Sequence, residues 1–227
     1  ADPVTAAGPA RLPQCADARP GSVGIGMEWM VLDRATYDLR DTARDLLPLL
    51  DRPTGTWAAT AATDAATLEV ATAMLGGYRE AADQATDIWR SMRRAADEAG
   101  VVVAGGGTHP FRTRRERRLL DGQDPADPPA GFGMRIQVGV PGGDEAVRIC
   151  AWLGLRAPLF IALSASSPYW EGVDSGYCSA RNNIVGVFQA SGVMPASLRS
   201  RHDVARHVAR LAQRGLAAGT GEVDWDV

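Results

Sequence analysis

The chain contains no lysine, so all 24 of its basic residues are arginine. Together with the many alanines, this points to a GC-rich genome rather than to a function. The formal net charge is −3, which gives no electrostatic footprint for nucleic acid or an anionic membrane. Cysteine is scarce: Cys15, Cys150 and Cys178 are odd in number and far apart. No pair has metal-ligand spacing, and a disulfide framework needs a denser, even set, so a reducing, cytoplasmic setting is expected. No apolar run approaches the roughly 18 residues needed to cross a bilayer. The opening residues do not read as a signal peptide, because Asp2, Pro3 and Pro9 interrupt any apolar core.

What is present is ordinary for a globular chain: 227 residues, 45% hydrophobic and 22% charged. Residues 1–20, rich in Ala, Pro, Asp and Arg without periodicity, are expected to form a flexible arm ahead of a domain over 21–227. Ser22–Asp33 has the pattern of a strand, as do Thr56–Ala62 and Ala66–Met74. Thr42–Leu50 predicts a short helix disturbed by Pro48. Tyr78–Ala99 carries Ala81, Ala85, Ile88, Trp89, Met92 and Ala96 at helical steps, and Gly100 stops it. A buried strand, Val101–Ala104, runs into three glycines. Residues 112–130 read as a solvated segment. Arg135–Val140 predicts a strand, Asp144–Leu155 a helix, Pro158–Ser167 a packed, nearly all-apolar helix, and His202–Leu216 an amphipathic one. Strands and helices alternate, which excludes all-α and all-β classes.

Four places could carry chemistry. A strand period of two puts Gly26, Glu28 and Met30 on one face. Glu28 and Glu69 each interrupt an apolar strand. They could bind Mg²⁺ through oxygen, or they could be edge-strand charges facing solvent. The run Gly105-Gly106-Gly107-Thr108-His109-Pro110-Phe111 allows close backbone approach, with Thr108 and His109 able to line a pocket. It is not a Walker loop, because no Lys-Ser/Thr follows. A tight turn with a structural histidine is the alternative. Arg135, Gln137 and Gly139 share one strand face, either for a ligand or as a hydrogen-bonded core network. Last, Ser164 to Asn182 is dense in small polar groups, including Ser166 and Ser167. There Arg181 could clamp a carboxylate or phosphate, cap a helix, or pair with Asp174. His202 and His207 lie five apart, which is no metal-ligand spacing, and read as surface residues.

In this order, GIGME at 24–28, LEVAT at 68–72, GGGTHPF at 105–111, RIQVG at 135–139 and ALSASSPYWEGVDSGYCSAR at 162–181 resemble the motifs of the glutamate–cysteine ligase type 2 family of carboxylate–amine ligases. The resemblance covers about residues 21–227. It implies an α+β fold: a curved, mainly antiparallel sheet with helices on its outer face, like glutamine synthetase. It also implies the use of ATP and Mg²⁺ to activate a carboxylate, typically that of glutamate, as an acyl phosphate that an amine attacks. Carried over by position, Glu28 and Glu69 would be metal ligands. Gly107, Thr108, Arg135, Gln137, Ser166 and Ser167 would line the substrate or nucleotide site, and Arg181 and His109 would act in catalysis.

The chain departs from the family pattern at Gly26, where relatives carry a glutamate, and at Arg135 and Gln137, where they carry histidines. A fixed positive charge beside a Mg²⁺ site repels the ion, unless it serves as counter-charge to phosphate. Relatives also continue past Asp224-Trp225-Asp226-Val227, so an open strand edge, an uncovered apolar surface and a partner are expected: a copy, a second subunit or the rest of the polypeptide. The leading reading is an ATP-dependent ligase, divergent or one part of a split enzyme. The rival is a silent pseudoenzyme or assembly subunit that binds nucleotide or a partner chain.

Overall fold

The structure, a computed structural model, describes residues 19–51, 56–61, 64–111, 131–181, 191–192, 194–216 and 224–225. The expected arm, but for Arg19 and Pro20, and the 112–130 segment lie outside them. The chain divides into two compact units, one formed by Pro20–Gly139 with Ala165–Arg181 and the other by Ala1–Arg19, Val140–Ser164 and Asn182–Val227.

In the first unit, β1 (Val23–Asp33) is the spine of a five-stranded sheet. β3 (Thr67–Thr72) pairs along one edge of β1, and β2 (Trp57–Ala61) pairs outside β3. The other edge of β1 takes β5 (Met134–Val138) and then β4 (Val101–Ala104). All four pairings are antiparallel.

The alternation in β1 sorts its side chains. Ile25, Met27 and Val31 are buried with Leu68, Val70, Val101 and Val103 in the main core. α2 (Tyr78–Ala99) seals that face through Ala81, Ile88, Met92, Ala95 and Ala96, spaced as a helix requires. Gly100, at φ 69°, ends α2 in the left-handed conformation that glycine adopts without a Cβ penalty. Trp29 stacks on Trp89 of this helix at 5.5 Å. α1 (Ala43–Leu46) and a following 3₁₀ turn (Leu47–Leu49) add Leu46 to the core, with Pro48 in the turn.

The opposite face of β1 presents Gly24, Gly26, Glu28 and Met30. It is apolar only at one end, where Met30 and Leu32 pack with Phe132. β5 is exposed along its length. Met134, Ile136 and Val138 form an uncovered apolar stripe, and among the described residues the strand pairs only with β1. A hairpin of β6 (Tyr169–Trp170) and β7 (Val173–Asp174) turns at Glu171 (φ 50°) and Gly172 (φ 82°). Positive φ at both turn residues is what a two-residue hairpin loop needs.

In the second unit, α3 (Gly143–Gly154) and α5 (Arg201–Gln213) share a core of Val147, Ala151, Met194, Leu198, Val204 and Val208. Ser200 caps α5 by accepting from the Asp203 N–H, and Asp203 accepts in return from the Arg199 N–H at 3.1 Å. His202 is exposed on this helix and His207 half-buried. β8 (Ser191–Gly192) and β9 (Asp224–Trp225) pair in parallel.

The expected packed helix at 158–167 is corrected. α4 runs Ala157–Ser164, and only Ala157 is buried; Leu159, Phe160, Ile161 and Leu163 are all exposed. It is apolar all round, so its sequence carries no stripe that selects a packing face. It ends with the Ser164 hydroxyl donating back to the Phe160 carbonyl at 2.8 Å.

Candidate functional site

All nine residues that the sequence reading assigned to the site beyond Gly107 belong to the first unit, as does Gly107 itself. Its centre is a register fact: Glu28 and Glu69 are Cα partners on β1 and β3. Both strands are internal to the sheet, which removes the alternative of edge-strand charges. Two like charges directly opposite one another destabilise a sheet, so the pair needs cations to offset it.

Glu28 is half-buried. Its Oε2 accepts from the Gly133 N–H at 3.3 Å, and its own N–H donates to the Gly133 carbonyl at 2.9 Å. Burial pushes its carboxyl above the ordinary carboxylate range. The Gly133 bond and the guanidiniums of Arg181 and Arg135 pull it back, while Glu69 adds to the rise.

The Arg181 side chain lies over Gly131 and Gly133, on a path cleared of side chains. A Cβ on Gly131 would collide with its Nε, and one on Gly133 would come within 3.4 Å of its Nη1. Its Nε is buried and has no hydrogen-bond partner among the described residues. The alternative pairing with Asp174 is not made, since the Asp174 carboxylate instead accepts from the Gly176 N–H at 2.9 Å.

Arg135 enters from β5. It stands opposite Gly26 and shares the face of Glu28. Gln137 stands opposite Gly24, whose missing Cβ leaves space for Met74 and for the Gln137 side chain. Both polar residues are exposed, so they form no buried core network.

The glycine-rich loop is fastened rather than open. Gly106 donates to the Phe132 carbonyl at 2.9 Å, and Phe132 donates to the Gly107 carbonyl at 3.2 Å. Gly107 lies against Ser167, which is 2% exposed and 3.2 Å from the Ser179 hydroxyl. Ser166, its neighbour, is exposed.

Thr108 and His109 were expected to line a pocket. Both are buried, and both hold backbone carbonyls: Thr108 Oγ1 donates to Tyr169 at 3.1 Å, and His109 Nε2 lies 3.0 Å from Tyr37. A carbonyl can only accept, so Nε2 carries the proton there. The ring also meets Phe111 edge-on at 4.4 Å. His109 thereby anchors the turn in which Tyr37 takes φ 59°.

Chemically, this face offers two carboxylates and two guanidiniums. Mg²⁺ is commonly held by one or two carboxylates, with water and phosphate completing its shell. Glu28 and Glu69, paired across two strands, supply two carboxylates on one face. No cluster of three or more His, Cys, Asp or Glu suited to a metal occurs among the described residues.

The profile of glutamate–cysteine ligase family 2 (GCS2) matches residues 22–227. The chain belongs to that family. Its similar relatives include the protein named "Putative glutamate–cysteine ligase 2" of Bordetella avium (strain 197N), 35% identical over 92% of this chain and 54% of the relative. Another, "Putative glutamate–cysteine ligase 2-3" of Rubrobacter xylanophilus (strain DSM 9941 / JCM 11954 / NBRC 16129 / PRD-1), is 34% identical over 92% of this chain and 60% of that protein. The chain thus spans little more than half the length of these relatives.

Within this GCS2 chain, sequence reasoning missed Gly131 and Gly133. Their alternation around Phe132 was the available signal, because glycine recurring at a strand period leaves one face bare. It also missed Ser179 as the partner of Ser167, and the Tyr37 carbonyl as the partner of His109.

Proposed function

We propose that this GCS2 chain forms part of an ATP-dependent carboxylate–amine ligase joining a glutamate-type acid to an amine. The observation that carries the reading is the opposed pair Glu28 and Glu69 on internal strands, with the Arg181 guanidinium packed over Gly133, which donates to Glu28. Paired carboxylates in a sheet interior cost stability, and their retention beside a half-buried arginine marks a binding face.

In this reading Glu28 and Glu69 hold one Mg²⁺, which when bound offsets phosphate charge and polarises the phosphoryl group. Arg181 binds an anionic group of nucleotide or acid by a two-pronged contact. Thr108, His109, Ser167 and Gly107 fix the loop around it, with His109 a positioning residue. Ser166 and Gln137, both exposed, contact substrate from the rim. The sheet is then a portion of a curved, glutamine-synthetase-like sheet. The uncovered stripe on β5 calls for a partner: a copy, a second subunit or further polypeptide. The sparse cysteines fit a cytoplasmic setting.

A second reading is favoured by one observation: Gly26, where a third carboxylate would stand, carries no side chain, and a cation, Arg135, stands opposite it. Under it the chain binds nucleotide without turnover. Phosphate release from Mg-ATP with glutamate and a panel of amines separates the two. Release that depends on both substrates and falls at least about a hundredfold in Glu69→Gln supports the ligase. Binding with no release supports the silent reading. Neither binding nor release sinks both.

A further inference from the structure

We infer that Arg135 and Arg181 together form an oxyanion clamp for the phosphoryl end of a polyphosphate ligand, supplying charge that such ligands otherwise take from a divalent cation. This deepens the proposed function and rests on its nucleotide-binding part.

The two guanidiniums come from separate elements and meet one face of the sheet. Arg135 stands on β5 directly opposite Gly26, and Arg181 closes the segment Ala165–Arg181. The Arg181 guanidinium packs over Gly133, whose N–H donates to the Glu28 carboxylate, and Arg135 shares the sheet face of Glu28.

Neither guanidinium has an ion-pair partner among the described residues. Arg135 is exposed and makes no hydrogen bond or ion pair among the described residues. Gly26 offers it no side chain to pair with, and the nearest atom to a Cβ built there is the Cβ of Arg135 itself, at 3.8 Å. Arg181 keeps its Nε–H buried without an acceptor among the described residues. A buried donor left unpaired costs free energy until an acceptor arrives. Phosphoryl oxygens are such acceptors, and the guanidinium fork matches two of them at once. The chain has no lysine, so arginines are its only fixed side-chain cations.

The test is titration calorimetry of the whole chain with ATP and with inorganic tripolyphosphate, each in excess Mg²⁺ and in EDTA. Removing Mg²⁺ from the wild-type chain should weaken either ligand by less than about tenfold, since charge-assisted bonds from two guanidiniums remain. Arg135→Gln should weaken both ligands about tenfold or more in EDTA. Gly26→Glu should do the same by pairing with Arg135, whereas Gly26→Ala, for which there is space, should leave affinity unchanged. Wild-type binding seen only with Mg²⁺, or an Arg135→Gln variant that binds like wild type, overturns the clamp and leaves the ligase reading standing. A chain that binds neither ligand in either buffer overturns both.

Discussion

Glu28 and Glu69 face each other across β1 and β3, and the half-buried Glu28 has its carboxyl pushed above the ordinary range chiefly by burial. A folded carboxyl with a raised pKa holds its proton where the unfolded chain has lost it. Its stability contribution is therefore full below pH 4.5 and is lost as pH rises through the folded value. Glu28→Gln should raise the Tm at pH 7 in EDTA, and the gain should shrink to nothing near pH 4. Thermal melts across that range check it; a variant that melts lower than wild type at pH 7 contradicts it.

Gly107, packed against Ser167, and Gly131, under Arg181, should differ when replaced. A Cβ on Gly107 would fall 2.8 Å from the Cβ of Ser167 and collide with its hydroxyl, in a place where Ser167 is buried. Gly107→Ala should cost about 1–3 kcal/mol in urea unfolding. The atoms nearest to a Cβ on Gly131 all belong to the flexible side chain of Arg181. Gly131→Ala should change stability by less than about 1 kcal/mol yet weaken tripolyphosphate binding about tenfold, as loss of a charge-assisted contact does.

His109 is placed to hold the Tyr37 carbonyl, and His109→Leu should leave that acceptor unpaired. The expected loss is about 1–3 kcal/mol, read by denaturant unfolding. If His109 serves position rather than proton transfer, His109→Asn should recover part of both stability and ligand affinity.

The cap of α5 gives a prediction independent of the site. Ser200→Ala removes the acceptor for the Asp203 N–H and should cost about 1 kcal/mol. Asp203 itself is held at about 2 by the Ser200 hydroxyl, then the Arg199 N–H and Arg206. Because that value is depressed, its contribution is present above 3.8 and fades as pH falls through about 2. A carboxyl NMR titration should show Asp203 moving back toward 3.8 in Ser200→Ala.

Much of the fold is legible in the chain because local periodicity and chain punctuation are local facts. α2 starts at Tyr78 and ends before Gly100 as its spacing predicts, and the alternation in β1 sorts Glu28 from Met27 and Trp29. Family motifs name Glu28, Glu69 and Arg181 for the same reason: order along the chain survives in sequence. α4 marks the limit. Uniform apolarity says that a segment can be buried but not what covers it, and here four of its large side chains are exposed.

The sequence by itself determined membership in GCS2, the strand and helix periods and the residue types available for chemistry. Tertiary structure alone decided their use, because register, burial and hydrogen-bond partners depend on residues distant in the chain. Only pairing sets Glu28 against Glu69 and Arg135 against Gly26. Only the fold brings the Tyr37 carbonyl to His109, 72 positions away, and turns an expected pocket residue into an anchor.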